Sequence, residues 1–542
     1  MVPCIAFPDI PFLTLASFEL WPQKWGRFFV CEWRRNQCRL HCLLSLPKIM
    51  RTVIAVLTLL LASILVLAQN KPARSSYDAE AMAPPSKTYS PGLMKTLVTL
   101  RDAALGDDYA YRQVAYLTDN IGPRPTGWPQ TDAAVHYVAE QLRMLGLEVH
   151  LEEVHVPRWI RDAESAELVE YPGRAEGAAQ RIVLTALGGN TPTPAGGITA
   201  PLVVVHNFDE LKTLGRQNVE GRIVLFDVPF DEKKAMAGFW GEAYGEAVDY
   251  RGRGAKEAAA LGAIACLVRS VGGADHRLPH TGHNTPAGIP AGAVTGEDAE
   301  LIARLAAQGE VRMHLVLQAH TGEDTVSFNV IGDLKGSEHP EQVVVVSGHL
   351  DSWDLGTGAI DDAAGVAVAM ETAELVHRLG LHPRRTIRVI AWMDEENGGH
   401  GHDAYAKDYA AEFSNHVAAI ESDLGSDHPL GFAVKAVPDA LPWLAPAQGI
   451  LRSLGANLIK PTEYSPGADI SPLAGAGVPA FGLMQDGRIY FNYHHTAADT
   501  LDKVNPQSLR ENAAAMAVMG YALADMEQVL PRQTQRLQAP SR

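Results

Sequence analysis

Residues 342–365 read QVVVVSGHLDSWDLGTGAIDDAAG, and the reading of the fold starts there. The valine run 343–346 lies in a predicted strand over 342–347, which ends just before His349 and Asp351. Glycines in the loop 356–360 let the chain turn back, and Asp361 stands at the entry to a predicted helix over 362–379 that stops at Gly380. Further along, strands are predicted at 386–393, 417–422 and 479–484. A last helix is predicted over about 506–529, with Leu509, Met516, Met519 and Leu523 among its apolar residues. Strands alternating with helices imply an α/β fold with a mostly parallel, mixed sheet covered by helices.

Upstream, residues 93–147 have a helical pattern, broken by the tight turn IGPRPTG (121–127). Val135, Val138, Leu142 and Leu145 form a helical stripe, Gly146 is a plausible cap, and residues 148–156 alternate as a strand does. Between about 159 and 319 the character changes. Short β-runs at 201–205, 221–227, 263–268 and 289–294 are interleaved with helical stretches at 255–261 and 298–307. This reads as a β-rich domain inserted into the first one. The expected division is 90–158 with 325–532 for the discontinuous α/β domain and 159–320 for the insert.

The chain of 542 residues is too long for one ordinary core, so two or three folded units are expected. A net charge of −17 argues against nucleic acid as a partner, because phosphate binding needs a basic face. Residues 51–69 read RTVIAVLTLLLASILVLAQ, an uninterrupted apolar run after one arginine, closed by Ala68. It is shorter than the roughly 20 residues of a spanning helix and has the layout of a secretory signal at about 50–69. Met50 precedes it directly, so translation is expected to start there, with 1–49 a mis-assigned extension. Cys4, Cys31, Cys38 and Cys42 all lie in that extension, which leaves Cys266 alone and no internal disulfide in the mature chain. The absence of an Asn-x-Ser/Thr sequon fits an exported bacterial protein, secreted or periplasmic, without stable membrane insertion once the signal is removed. A homodimer is left open.

The residues that carry chemistry each follow a predicted strand: His349 and Asp351 in SGHLDSWD, Glu395 and Glu396 in WMDEENGG, Asp423 in ESDLGSD. Asp361 sits in GAIDDAAG and His495 in YHHTAADT. In open α/β sheets, sites form beyond the carboxyl ends of the strands. Zinc takes imidazole nitrogen and carboxylate oxygen, and a two-zinc site needs one carboxylate that reaches both ions. Asp361 is the expected bridge. One zinc would take His349, Asp361 and Asp423, the other Asp361, Glu396 and His495. Asp351, two residues from His349, suits an outer role, accepting the other imidazole N–H. Of the adjacent glutamates one can bind metal while the free one takes a proton from the attacking water and passes it to the leaving amine. Taken singly, each residue has a blander reading. A lone histidine is more often structural, adjacent acids are usually a solvated loop, and Asp362 reads as a helix cap. His400 and His402 follow loop glycines, and His494 is the weaker twin of His495.

With these motifs in place the sequence resembles the co-catalytic zinc exopeptidases, which include bacterial leucyl aminopeptidases and glutamate carboxypeptidases. The likeness runs from about 109 to 532 and includes IGPRPTG (121–127), HTG (280–282), SGHLDSWD (347–354), the Glu395–Glu396 pair, ESD (421–423), YFNYHH (490–495) and ADMEQVLPR (524–532). It implies two zinc ions on the five residues already chosen, Glu395 as general base, short peptides or free dipeptides as substrates, and a protease-associated domain for the insert, in which GRIVLFD (221–227) and IPAGAVTGEDA (289–299) match the usual run. Where many relatives carry Ser-Asp-His, this chain has Asp469 followed by Ile470; Tyr464 is an alternative donor to the reacting carbonyl. An aminopeptidase on longer peptides is the alternative activity. A single-zinc glutaminyl cyclase and a receptor-like protein that has lost its ligands are rivals that the complete five-residue set disfavours. Carboxylate-lined peptidases with a dimerisation lid place the bridging aspartate further from the first histidine than it is here.

Overall fold

The computed structural model describes residues 87–273 and 276–532, so the extension, the 51–69 run and the four cysteines within 1–49 lie outside the described residues. Among those described, Cys266 is free and buried, and no helix is long and apolar enough to cross a membrane.

Two eight-stranded sheets organise the chain. The first runs, in spatial order, Glu148–Ile160, His320–Leu334, Arg385–Trp392, His339–His349, His416–Glu421, Ala480–Gln485, Pro429–Lys435 and Leu458–Pro461. Its four middle strands, from Arg385–Trp392 to Ala480–Gln485, are mutually parallel, and the flanking pairs that join them are antiparallel. The mixed, mostly parallel sheet read from the sequence is therefore the observed one. Every residue of Arg385–Trp392 and of His416–Glu421 is buried, as strands covered on both faces must be. Pro91–Leu105, Tyr109–Ala115, Ala364–Arg378 and Pro506–Asp525 join the strands in one apolar core. Arg385 ties the sheet to the end of the last of these helices, donating to the carbonyl oxygen of Met526 at 2.6 Å.

The second sheet is built wholly from residues between Glu164 and Leu317, in the order Gln180–Ile182, Glu164–Glu170, Val311–Leu317, Ile198–Val205, Ile223–Phe226, Ala265–Arg269, Ala291–Val294, Leu184–Ala186. The chain reaches it along Glu148–Ile160 and returns along His320–Leu334. These two long strands pair antiparallel from Ile160↔His320 to Glu148↔Asp333, with a bulge at Pro157/Trp159. Helices Phe208–Val219, Trp240–Ala260 and Gly296–Ala306 accompany this sheet. One sequence expectation needs correcting. The helical stretch placed at 255–261 is the end of a helix that begins at Trp240. Gly241, Gly245, Gly252 and Gly254 lie within it, and each weakens a helix by about 1 kcal/mol relative to alanine, which hid its first turns.

Candidate active site

The parallel strands deliver their carboxyl ends to one place. His349 is the last residue of its strand. Glu395 and Glu396 follow Trp392 by a short turn, Asp423 lies two residues past Glu421, and His495 comes from the segment after Gln485. The loop that carries Asp361 is held from two sides. Arg124, fully buried, donates to the carbonyl oxygens of Leu350 (2.7 Å), Thr357 (2.8 Å) and Gly358 (2.8 Å). Asp499 accepts from the backbone N–H groups of Ala359 and Ile360, both at 2.8 Å. The IGPRPTG turn thus supplies a buried cation that fixes the loop ahead of Asp361.

Asp361 stands between two groups. Its Oδ1 lies 3.0 Å from His349 Nε2, which is also 3.3 Å from Asp423 Oδ1. Its Oδ2 lies 3.2 Å from His495 Nε2, which is 3.0 Å from Glu396 Oε2. All five expected residues meet, with one oxygen of Asp361 directed to each side. His494 comes closer than its sequence suggested, with Nε2 3.5 Å from Asp361 Oδ2 and its ring stacked on His495 at 3.5 Å between centroids. Asp362 does what a cap does, accepting from Gly365 N at 2.9 Å and also from His349 N at 3.0 Å. His400 and His402 point elsewhere, pairing with Asp394 and Asp469. Tyr464 is 81% exposed and does not line the site, so it is not the carbonyl donor considered from the sequence.

Asp351 differs from its expected role. His349 Nδ1 meets the backbone carbonyl of Asp351 at 3.1 Å, while the carboxylate is 3.7 Å away. That carboxylate instead accepts from the backbone N–H groups of Asp394 (2.8 Å), Glu395 (3.1 Å) and Glu396 (3.3 Å). A two-residue step after a strand end turns the side chain toward the next loop, so Asp351 fixes the glutamate turn and the peptide carbonyl orients the imidazole. His495 is set in a similar way: its Nδ1 donates to the carbonyl oxygen of Thr281 at 3.3 Å, which directs Nε2 to Asp361 and Glu396.

The donor set is right for divalent cations. Two imidazoles and three carboxylates offer only nitrogen and oxygen. Glu396 Oε1, and Asp361 Oδ2 apart from its close approach to the two histidines, are buried without a hydrogen-bond partner among the described residues. Burial pulls both imidazoles down, but Asp423 beside His349 and Glu396 beside His495 outweigh it and hold each well above the usual histidine value. The concentration of negative charge that draws protons onto these rings is the charge that metal ions would answer. Glu395, by contrast, enters no ion pair and makes no side-chain hydrogen bond among the described residues. It lines a cavity of about 520 Å³ together with Asp361, Glu396, Asp423, His494 and His495.

Peptidase family M28 matches residues 329–519. The chain is 36% identical over 444 residues to human carboxypeptidase Q, an alignment covering 81% of this chain and 90% of that one. The chain belongs to peptidase family M28. Its activity class is accordingly that of a metallopeptidase. A crystal structure of a peptidase M28 precursor from Shewanella amazonensis is 35% identical, with a TM-score of 0.76, covering 82% of this chain and 99% of that one. A zinc aminopeptidase from Bacillus subtilis has the same fold at 21% identity, with a TM-score of 0.56 over 78% of this chain and 98% of the other. The M28 match spans the strands that carry His349, Asp361, Glu395, Glu396, Asp423 and His495. It leaves out the second sheet, whose helix Trp240–Ala260 nevertheless lines the cavity through Trp240, Tyr244 and Arg251, joined by His283 from a nearby loop. None of these four was singled out in the sequence.

Proposed function

We propose that the protein is an exported two-zinc exopeptidase that hydrolyses short peptides, dipeptides above all, with Glu395 as general base. The observation that carries this reading is Asp361, whose two oxygens face two separate imidazole–carboxylate groups. His349, Asp361 and Asp423 would hold one zinc, and Asp361, Glu396 and His495 the other. His494 is near enough to shield or adjust the second position. Zinc bound there supplies Lewis acidity toward the scissile carbonyl and the attacking water.

The chain's own residues do the rest. Glu395, held by its backbone N–H on Asp351 and free at its carboxylate, accepts the proton of the attacking water and returns it to the leaving amine. Asp351 keeps Glu395 and Glu396 pointed apart, so one can move protons while the other holds metal. Residues 159–320, read as a protease-associated domain, serve as the cavity's lid. Export rests on the signal-like run at 50–69. The name carboxypeptidase Q on the relatives supports a carboxyl-terminal specificity, and the Bacillus subtilis aminopeptidase (27% identical over 307 residues) is the reason to test the other end.

A dipeptide panel, assayed with chelator and with zinc restored, tests the proposal. Hydrolysis of free dipeptides that chelator abolishes and zinc restores is the expected result. Chelator-resistant hydrolysis, or release of only internal fragments from longer peptides, would refute it.

A further inference from the structure

Arg251 is a charged group facing the cavity whose chemistry the proposed reaction leaves unused. It sits in the helix Trp240–Ala260, whose positions 240, 244 and 251 recur every four and seven residues and so share a face. That face looks onto the cavity, and Trp240, Tyr244 and Arg251 all line it. The arginine is only 7% exposed, and its guanidinium lies over the Tyr244 ring at 5.7 Å.

A cation buried to that degree ordinarily has a carboxylate partner. This one does not. Its Nε has no hydrogen-bond partner, and its Nη1 makes a single long contact to the carbonyl oxygen of Thr281 at 3.4 Å. Nη1 is also 3.4 Å from His495 Nδ1. That nitrogen carries its proton toward Thr281, so it cannot accept a second one from arginine. The space is nonetheless made for it: a Cβ on Gly282, whose φ is +137°, would come within 2.5 Å of the guanidinium. The HTG segment thus admits Arg251 and leaves most of its donors open.

We infer that Arg251 binds the free terminal carboxylate of the substrate and sets the enzyme's preference for peptides that end one residue beyond the scissile bond. This rests on the exopeptidase reading of the same cavity. The guanidinium is one imidazole ring away from the point where His495 Nε2 meets Asp361 and Glu396. An extended chain advances at most about 3.3–3.6 Å per residue. The carboxylate found at such a remove from the reacting carbonyl is that of the residue being released. Guanidinium presents paired N–H donors that match a carboxylate, and in a buried setting each such bond is stronger than in water.

The test compares Ala-Leu, Ala-Leu amide and leucine p-nitroanilide on the zinc-loaded wild type, Arg251→Met and Arg251→Lys, with zinc content measured for each. The wild type is expected to prefer Ala-Leu over its amide by about 10- to 100-fold in kcat/KM. Arg251→Met should retain zinc and bring that ratio near one, chiefly through KM, while Arg251→Lys keeps part of it. If acid and amide fall together in Arg251→Met, the arginine serves only to support His495 and the inference is wrong. It is equally overturned if the wild type favours the amide or the anilide. Failure of all three substrates on the wild type would instead remove the exopeptidase reading, and the carboxylate site with it.

Discussion

Glu395 and Glu396 are chemically equal, adjacent, and held by the same carboxylate of Asp351. Geometry alone divides them. Glu396 meets His495 at 3.0 Å, whereas the carboxylate of Glu395 opens on the cavity without a partner. Glu395→Gln is therefore expected to keep the zinc and the fold, because no coordinating oxygen is lost, and to lower kcat by about 10²–10⁴-fold. Glu396→Gln should lose or weaken one zinc, with part of its activity recovered in excess zinc. Metal analysis and kcat for both variants decide the matter, and a metal lost from Glu395→Gln but not from Glu396→Gln would reverse the roles. The sequence made all five clustered residues legible, because His349, Glu396 and Asp423 sit at or just past strand ends, Asp361 and His495 lie in the loops that follow, and the residue types suit one ion chemistry. Two details were not legible. A carboxylate two residues from a strand-end histidine can turn to the ring or to the next loop, and only the packed structure decides that Asp351 takes the loop. Arg251 had no motif of its own, and the glycines around it concealed its helix.

The helix Ala364–Arg378 carries Glu371, a buried acid whose Oε2 accepts from Ala110 N at 3.0 Å while Oε1 has no partner. Burial, with some help from Asp107 and Glu374, pushes its carboxyl up to about 8 from an ordinary 4.5. The unfolded chain gives up this proton near pH 4.5 and the folded chain holds it to about pH 8, so the contribution of this group to stability is most favourable below pH 4.5 and falls as the pH rises between them. The loss reaches on the order of 3–5 kcal/mol at pH 8. Glu371→Gln keeps the acceptor for Ala110 and has no proton to lose. Its Tm should match that of the wild type near pH 4.5 and exceed it by a widening margin up to pH 8; a constant margin, or a less stable variant at pH 8, would contradict this. The element itself was easy to read from its sequence, an apolar run stopped by Gly380. Its start was not, since Asp361 and Asp362 have non-helical backbone angles and the regular helix begins only at Ala364. Asp362 caps the helix from outside it, and Asp361 reaches His349 and His495 from the same irregular turn.

At the scale of the whole molecule, the strand ends of one sheet gather the clustered residues, and a helix that accompanies the other sheet lines the cavity beside them. The alternation of strand and helix after residue 327 foretold the four parallel middle strands of the first sheet, but not His320–Leu334, Pro429–Lys435 or Leu458–Pro461 beside them. The second sheet was recognisable as a change of character in the sequence, but its strands Gln180–Ile182 and Leu184–Ala186 have only three residues each and no periodic signal. That one of its helices would reach the cavity could not be read, because contacts between distant segments leave no local pattern. The proposed reading depends in the end on Asp361 serving two ions at once. Zinc titration into metal-free protein, with bound zinc and dipeptide hydrolysis followed together, tests this most directly. Activity should rise to its maximum only as bound zinc reaches two per chain, and Asp361→Asn should hold fewer than two. Full activity at one zinc per chain, with no further gain from the second, would contradict it.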